Sequence, residues 1–252
     1  MYLELIENVA VLRLEAGKAN AMRPEFLVGL NRLLDEFEAS GAMAVVLTGY
    51  DTYFCAGLDL VSLSGYDAKQ MNNFMEQLDE MMLRLLSCPK PVIAAMNGHA
   101  VAAGCILTMM ADFRILADSK IRCGLNESQL GLSIPLIGRE ALESQLSPES
   151  IRTVVEDGNL YLPAQALEMG LVDSVVSPET VLDRALLHGQ KLAQEPAEGL
   201  TRERRDGRQR ALHRLNPSVM EQARQSWLEE WFSETTQEKV SDFATELSGS
   251  AT

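Results

Sequence analysis

Glu127 is the one carboxylate between Asp118 and Glu140, and it lies in a run of small and apolar residues, Cys123-Gly124-Leu125-Asn126-Glu127-Ser128-Gln129-Leu130-Gly131. An acid in that setting is either a solvated loop residue or a proton carrier whose pKa is raised by apolar surroundings. Two small-residue turns lie upstream, Phe54-Cys55-Ala56-Gly57-Leu58-Asp59-Leu60 and Asn97-Gly98-His99-Ala100-Val101-Ala102-Ala103-Gly104-Cys105, each after a strand-like apolar run. A turn from a strand end to a helix start leaves backbone N–H groups unpaired, and small residues let a ligand reach them. Two such turns converging would supply two donors to one carbonyl oxygen, the arrangement that stabilises an enolate or a tetrahedral oxyanion. Each turn alone can serve merely to reverse the chain. Their order and spacing ahead of Glu127 make a more specific composite, an oxyanion site with a single base.

The elements that must position these groups can be read from apolar periodicity. Val9–Leu14, Ala44–Thr48, Pro91–Met96, Phe113–Ala117 and Val172–Val176 read as short buried strands. Helical spacing covers Glu25–Ala39 behind Pro24, Asp67–Ser87, Gly104–Ala111, Arg139–Leu146, Pro148–Glu156 and Pro163–Met169. The methionines of the Asp67–Ser87 helix read as core packing. Alternation of buried strands with helices indicates an α/β layered domain. After Glu179 the chain reads as helix only, and its Trp227, Leu228, Trp231 and Phe232 are expected to pack on the main domain or on another subunit.

Composition narrows the function classes. The 252 residues carry 22 basic and 36 acidic side chains, a net charge of −14, which repels nucleic-acid phosphates and argues against such a partner. One basic run, with Arg202, Arg204, Arg205, Arg208, Arg210 and Arg214, reads as an exposed helix face of mixed charge. Cys55, Cys88, Cys105 and Cys123 lack metal-type spacing and read as buried, reduced thiols of a cytosolic protein. No leader is expected from a first strand holding Glu4, Glu7 and Arg13. Val92–Ala111 has no charge, yet Asn97-Gly98-His99 breaks it into a strand and a helix, each too short to span a bilayer. His99 reads as a turn residue bonded to its surroundings, and His188 and His213 as helix-surface residues.

The composite resembles the crotonase, or enoyl-CoA hydratase/isomerase, superfamily, most of all its Δ3,Δ2-enoyl-CoA isomerases of the mitochondrial type. Phe54–Leu60 is similar to that group's Phe-Ser-Ala-Gly-Leu-Asp-Leu, Asp112–Asp118 to its Asp-Tyr-Arg-Ile-Leu-Ala-Asp, and Gly124–Gly131 to its Gly-Leu-Asn-Glu-Thr-Gln-Leu-Gly. The resemblance implies a spiral of ββα repeats over residues 1–178, binding a CoA thioester. A C-terminal helical region over 179–252 would help build a homotrimer or a dimer of trimers. It implies catalytic roles for Glu127 and for the N–H groups of Leu58 and Ala103. It places the adenine and pantetheine portions along Lys18, Ala19, Ala21, Ala56, Gly57, Asp59 and Leu60, with Asn126 also in contact. Lys18 can equally be a solvated loop lysine, and Asp59 a helix cap. No metal and no cofactor is implied beyond the coenzyme A of the substrate, and the setting expected is cytoplasmic.

Hydration in this family uses two glutamates, and the position of the first is Ile106 here. One base suits a proton shuttle, so the leading expectation is isomerisation of 3-enoyl-CoA. Hydration or another CoA-thioester reaction is the alternative, and a non-catalytic binding protein, RNA-binding included, a further one. Ala103 stands where the family usually has glycine, so its methyl is expected to narrow the approach or bias the backbone.

Overall fold

Short apolar runs such as residues 44–47 and Val92–Met96 have no polar face, so as strands they must be covered on both sides. The computed structural model describes residues 1–194 and 200–249, the side chains of 200–205 and 247–249 excepted. Its strands are β1 (Tyr2–Ile6), β2 (Val9–Arg13), β3 (Ala44–Thr48), β4 (Tyr53–Cys55), β5 (Val92–Met96), β6 (His99–Val101), β7 (Phe113–Ala117), β8 (Cys123–Gly124), β9 (Leu160–Tyr161) and β10 (Ser174–Val176). Six form one sheet in the order β1-β2-β3-β5-β7-β10, parallel except for the β1–β2 hairpin. The short ones form a second sheet, β4-β6-β8-β9, with β9 antiparallel.

The helices of the first half are α1 (Pro24–Ala39), α2 (Leu60–Leu63), α3 (Ala68–Leu86), α4 (Ala103–Met109) and α5 (Glu127–Leu130). Then follow α6 (Leu136–Glu143), α7 (Pro148–Glu156), α8 (Pro163–Glu168), α9 (Val181–Gln194), α10 (Leu200–Arg214), α11 (Pro217–Trp231) and α12 (Glu234–Gly249). The chain repeats one step three times: a long strand (β3, β5, β7), a short strand in the second sheet (β4, β6, β8), then a helix. The spiral of ββα turns expected from the sequence is the fold observed.

Local chemistry explains the boundaries. Pro24 occupies the first turn of α1, whose Phe26, Leu27, Leu30, Leu33, Leu34 and Phe37 are all buried. A reciprocal capping box starts α3: Asp67 Oδ1 accepts from Gln70 N–H at 2.8 Å, and Gln70 Oε1 accepts from Asp67 N–H at 2.9 Å. The turns that follow β3 and β5 are held together by a half-buried amide and a missing side chain. Asn97 Oδ1 accepts from Gly49 N–H at 2.8 Å, and its Nδ2 donates to Asp51 O at 3.0 Å. A Cβ at Gly98 would lie 2.0 Å from the Thr52 carbonyl carbon, so only glycine lets these backbones touch.

The late helices close over the core. On α9, Gly189 lets the helix settle on the first sheet, where an added Cβ would meet Ile93 Cδ1 at 3.2 Å. His188 stacks on Phe113 with ring centroids 3.7 Å apart, so it is packed against β7 where a surface position was expected; His213 is exposed. Trp227 and Trp231 stack at 5.4 Å, and Trp227 Nε1 donates to Ser133 O at 3.1 Å, fixing α11 on the main body. The expected basic face is divided: Arg208 pairs with Asp112 at 2.8 Å and Arg214 with Glu140 at 2.5 Å. Arg202, Arg204 and Arg205 lie outside the described side chains. Cys55, Cys105 and Cys123 are buried and Cys88 half-buried, all as free thiols. No described helix is long and apolar enough to cross a membrane.

Candidate active site

Leu58, Ala103 and Glu127 occupy equivalent places, each just after the short strand of its ββα turn. Leu58 is held by a parallel bridge to Met22, in which Met22 N–H donates to Gly57 O at 2.7 Å and Asp59 N–H to Met22 O at 2.9 Å. A bridge that uses the groups on either side of Leu58 turns the Leu58 N–H itself the other way. Ala103 is the first residue of α4, where a helical N–H has no intrahelical acceptor. Neither N–H has an acceptor among the described residues.

Gly57 brings the two turns together. It has φ +85°, and a Cβ there would stand 2.8 Å from Val101 O and 3.2 Å from Ala103 N. Behind it, a Cβ at Gly104 would collide with Cys55 O at 2.1 Å. The backbone strain expected at Ala103 falls on its neighbour: Ala102 has φ 50° and ψ −126°, while Ala103 is helical and its methyl is buried. That conformation is costly for a residue with a Cβ, and it aims the following N–H out of the turn.

Glu127 is the first residue of the short helix α5, not a loop residue, and is 9% exposed. Its Oε2 is buried with no hydrogen-bonding partner among the described residues. Burial pushes the carboxyl from its ordinary 4.5 up to about 7, against the opposing pull of the Glu127 and Asn126 backbone N–H groups. A cavity of about 680 Å³ joins these groups. Leu58, Ala103 and Glu127 line it, together with Lys18, Ala19, Ala21, Ala56, Asp59, Leu60 and Asn126. Gly57, the remaining expected contact, lies beneath the wall, packed between the two turns. Asp59 caps α2, accepting from Ser62 N–H at 3.1 Å, while Lys18 is exposed at the rim. Glu127 is therefore the one buried carboxylate among the lining residues.

His99 also lines the cavity. Its Nδ1 accepts from Arg122 N–H at 3.1 Å, and burial and the nearby Arg122 charge lower its pKa, so it serves as a neutral acceptor. Ile106 faces the same space and packs against α6, where a Cβ on Gly138 would come within 3.0 Å of Ile106. Among the described residues, no group of three or more His, Cys, Asp or Glu side chains could hold a metal ion.

Sequence reading placed Asn20 only within the segment lying along the ligand and missed its structural role, which is to tie that segment to the strand ahead of Leu58. Fully buried with φ 51°, its Nδ2 donates to Leu14 O at 2.6 Å and Phe54 O at 3.0 Å, and its Oδ1 accepts from Ala16 N–H at 2.9 Å. The signal was available: asparagine tolerates positive φ and can satisfy several backbone groups in a turn. Asn20→Ala should cost about 3 kcal/mol, at roughly 1–3 kcal/mol per buried group left unpaired. A thermal melt should show Tm lower by roughly 6–12 °C; an unchanged melt would mean that these hydrogen bonds do not hold the segment in place.

Residues 4–246 match the family model for enoyl-CoA hydratase/isomerase, and the chain belongs to that family. It is 34% identical over 182 residues to mitochondrial enoyl-CoA delta isomerase 1 of Homo sapiens, a match covering 71% of this chain and 60% of that relative. The chain thus spans less than two thirds of that relative's length. The crystal structure of human mitochondrial delta3-delta2-enoyl-CoA isomerase superposes with a TM-score of 0.92 at 27% identity, covering 99% of this chain and 98% of that one. An enoyl-CoA hydratase/isomerase family protein from Pseudomonas syringae gives 0.81 at 31% identity, covering 89% and 96%.

Proposed function

We propose that this protein is a Δ3,Δ2-enoyl-CoA isomerase, moving the double bond of a 3-enoyl-CoA into conjugation with the thioester by way of one carboxylate. The observation that carries the reading is the bare Glu127 Oε2, buried in a cavity onto which two unpaired N–H groups also open. In this mechanism the thioester oxygen accepts from Leu58 N–H and Ala103 N–H, which acidifies the protons on C2. Glu127 takes one of them, and the electron pair delocalises over the dienolate held by the two donors. The protonated Glu127 then returns the proton to C4, leaving the C2–C3 double bond and regenerating the carboxylate. A carboxyl near neutrality suits a group that must both accept and release a proton. The shuttle requires no cofactor beyond the coenzyme A of the substrate.

Ile106 disfavours hydration, because addition of water needs a second group to bind and activate it, and this side chain can do neither. The test is to assay one preparation for 3-enoyl-CoA isomerisation and for hydration of the conjugated 2-enoyl-CoA. Isomerisation is expected to exceed hydration by about 10²-fold or more, the minimum usual contribution of a general acid or base. Equal rates, or hydration alone, would overturn the isomerase reading.

A further inference from the structure

Along the chain from Glu127, the cavity-lining residues Leu130, Leu132 and Pro135 are all apolar, and Met75 and Leu78 of α3 and Trp227 of α11 join them. Met75, Pro135 and Trp227 also line a second, smaller void, so these three side chains are the partition between the two spaces. The indole is fixed from two directions, by stacking on Trp231 and by its bond to Ser133 O. Beyond the partition the void meets Asp79 and Arg224, paired at 3.1 Å, with Arg224 also bonded to Asn72 Oδ1 at 3.3 Å and 3.6 Å from Glu76. An alkyl chain gains by lying along the hydrocarbon wall but cannot enter the ion pair without stripping buried polar groups of their partners.

We infer that the partition of Met75, Pro135 and Trp227 sets the longest straight acyl chain that the site binds well, the terminal methyl stopping against it. The inference rests on the acyl-CoA reading of the site. It is tested without turnover, by calorimetric titration with saturated straight-chain acyl-CoA thioesters of increasing length. Affinity should rise about fourfold per added methylene while the chain is still being buried. It should then break, the next methylene gaining nothing or costing roughly tenfold.

Met75→Ala, which opens the partition to the second void, should move the break to longer chains. Met75→Leu, which keeps the volume, should leave it in place. If Met75→Ala does not fold, Trp227→Phe supplies the same comparison with a smaller ring. An uninterrupted rise in the wild type, or a break at the same length in the opened variant, overturns the inference. Since binding is read apart from catalysis, a break that moves in a protein without isomerase activity would refute the proposed reaction alone. An active isomerase without a break would refute the partition alone.

Discussion

Glu127→Gln is expected to lose roughly 10³–10⁴-fold in kcat on 3-enoyl-CoA, near the upper end for a positioned acid–base group, because in the proposed shuttle one side chain makes both proton transfers. The same variant should be more stable than its parent at alkaline pH. Folding raises the Glu127 pKa from 4.5 to about 7, so the folded protein binds the proton more tightly than the unfolded chain. Below pH 4.5 both states are protonated and the group costs little. Between pH 4.5 and 7 the unfolded chain ionises first, and stability falls as pH rises. Above pH 7 the full penalty of a buried charge is present, about 3 kcal/mol by linkage. Glutamine has no such charge, so the stability difference between variant and parent should grow from pH 5 to pH 8, as followed by denaturant unfolding. In the parent, kcat/KM should fall as pH drops below about 7, since the base must start ionised. A variant that keeps its activity, or a stability difference independent of pH, would remove Glu127 from the role given to it.

Gly57→Ala should have the second-largest effect, through backbone alone. The new methyl would press on Val101 O at 2.8 Å and crowd Ala103 N at 3.2 Å, at a φ of +85° that already disfavours a side chain. The two donor turns would have to part, and losing one oxyanion donor costs about 10²–10³-fold in rate. The loss should fall on kcat more than on KM, because in the proposed mechanism the donors bind the enolate more strongly than the ground-state carbonyl. Gly41→Ala separates strain from geometry: Gly41 also has positive φ, +74°, but nothing lies within 4 Å of an added Cβ. That control should lose about 1–2 kcal/mol of stability and keep its activity. Equal activity in the two variants would show that the contact between the turns is not what aligns the donors.

The long strands and helices were legible because their apolar spacing persists for a whole element, as in Ala44–Thr48 and in α1 from Phe26 to Phe37. The second sheet was not legible. Strands of two or three residues, such as Cys123–Gly124 and Leu160–Tyr161, are too short to show a period. Even so, the residues after those strands could be found, since their small side chains and the lone acid carry a chemical signal that does not depend on periodicity. Gly57 shows the limit of that signal. Its place in the motif was clear, but only the close approach of Val101 O distinguishes a residue that spaces the turns from one that faces the cavity. The capping box of Asp67 and Gln70 lay outside that reading, because its start signal is carried by two side chains and not by the hydrophobic pattern.

The parallel run β4-β6-β8 makes the site a ruler. Neighbouring strands are separated by about 4.8 Å whatever side chains they carry, so the three successive turns start from evenly spaced strand ends. Leu58, Ala103 and Glu127 follow those strands in sequence order, the sheet spacing their turns and the Met22 bridge and Gly57 setting how closely the first two meet. On such a scale, a different residue at one mark can change the chemistry offered without moving the strands from which the turns start.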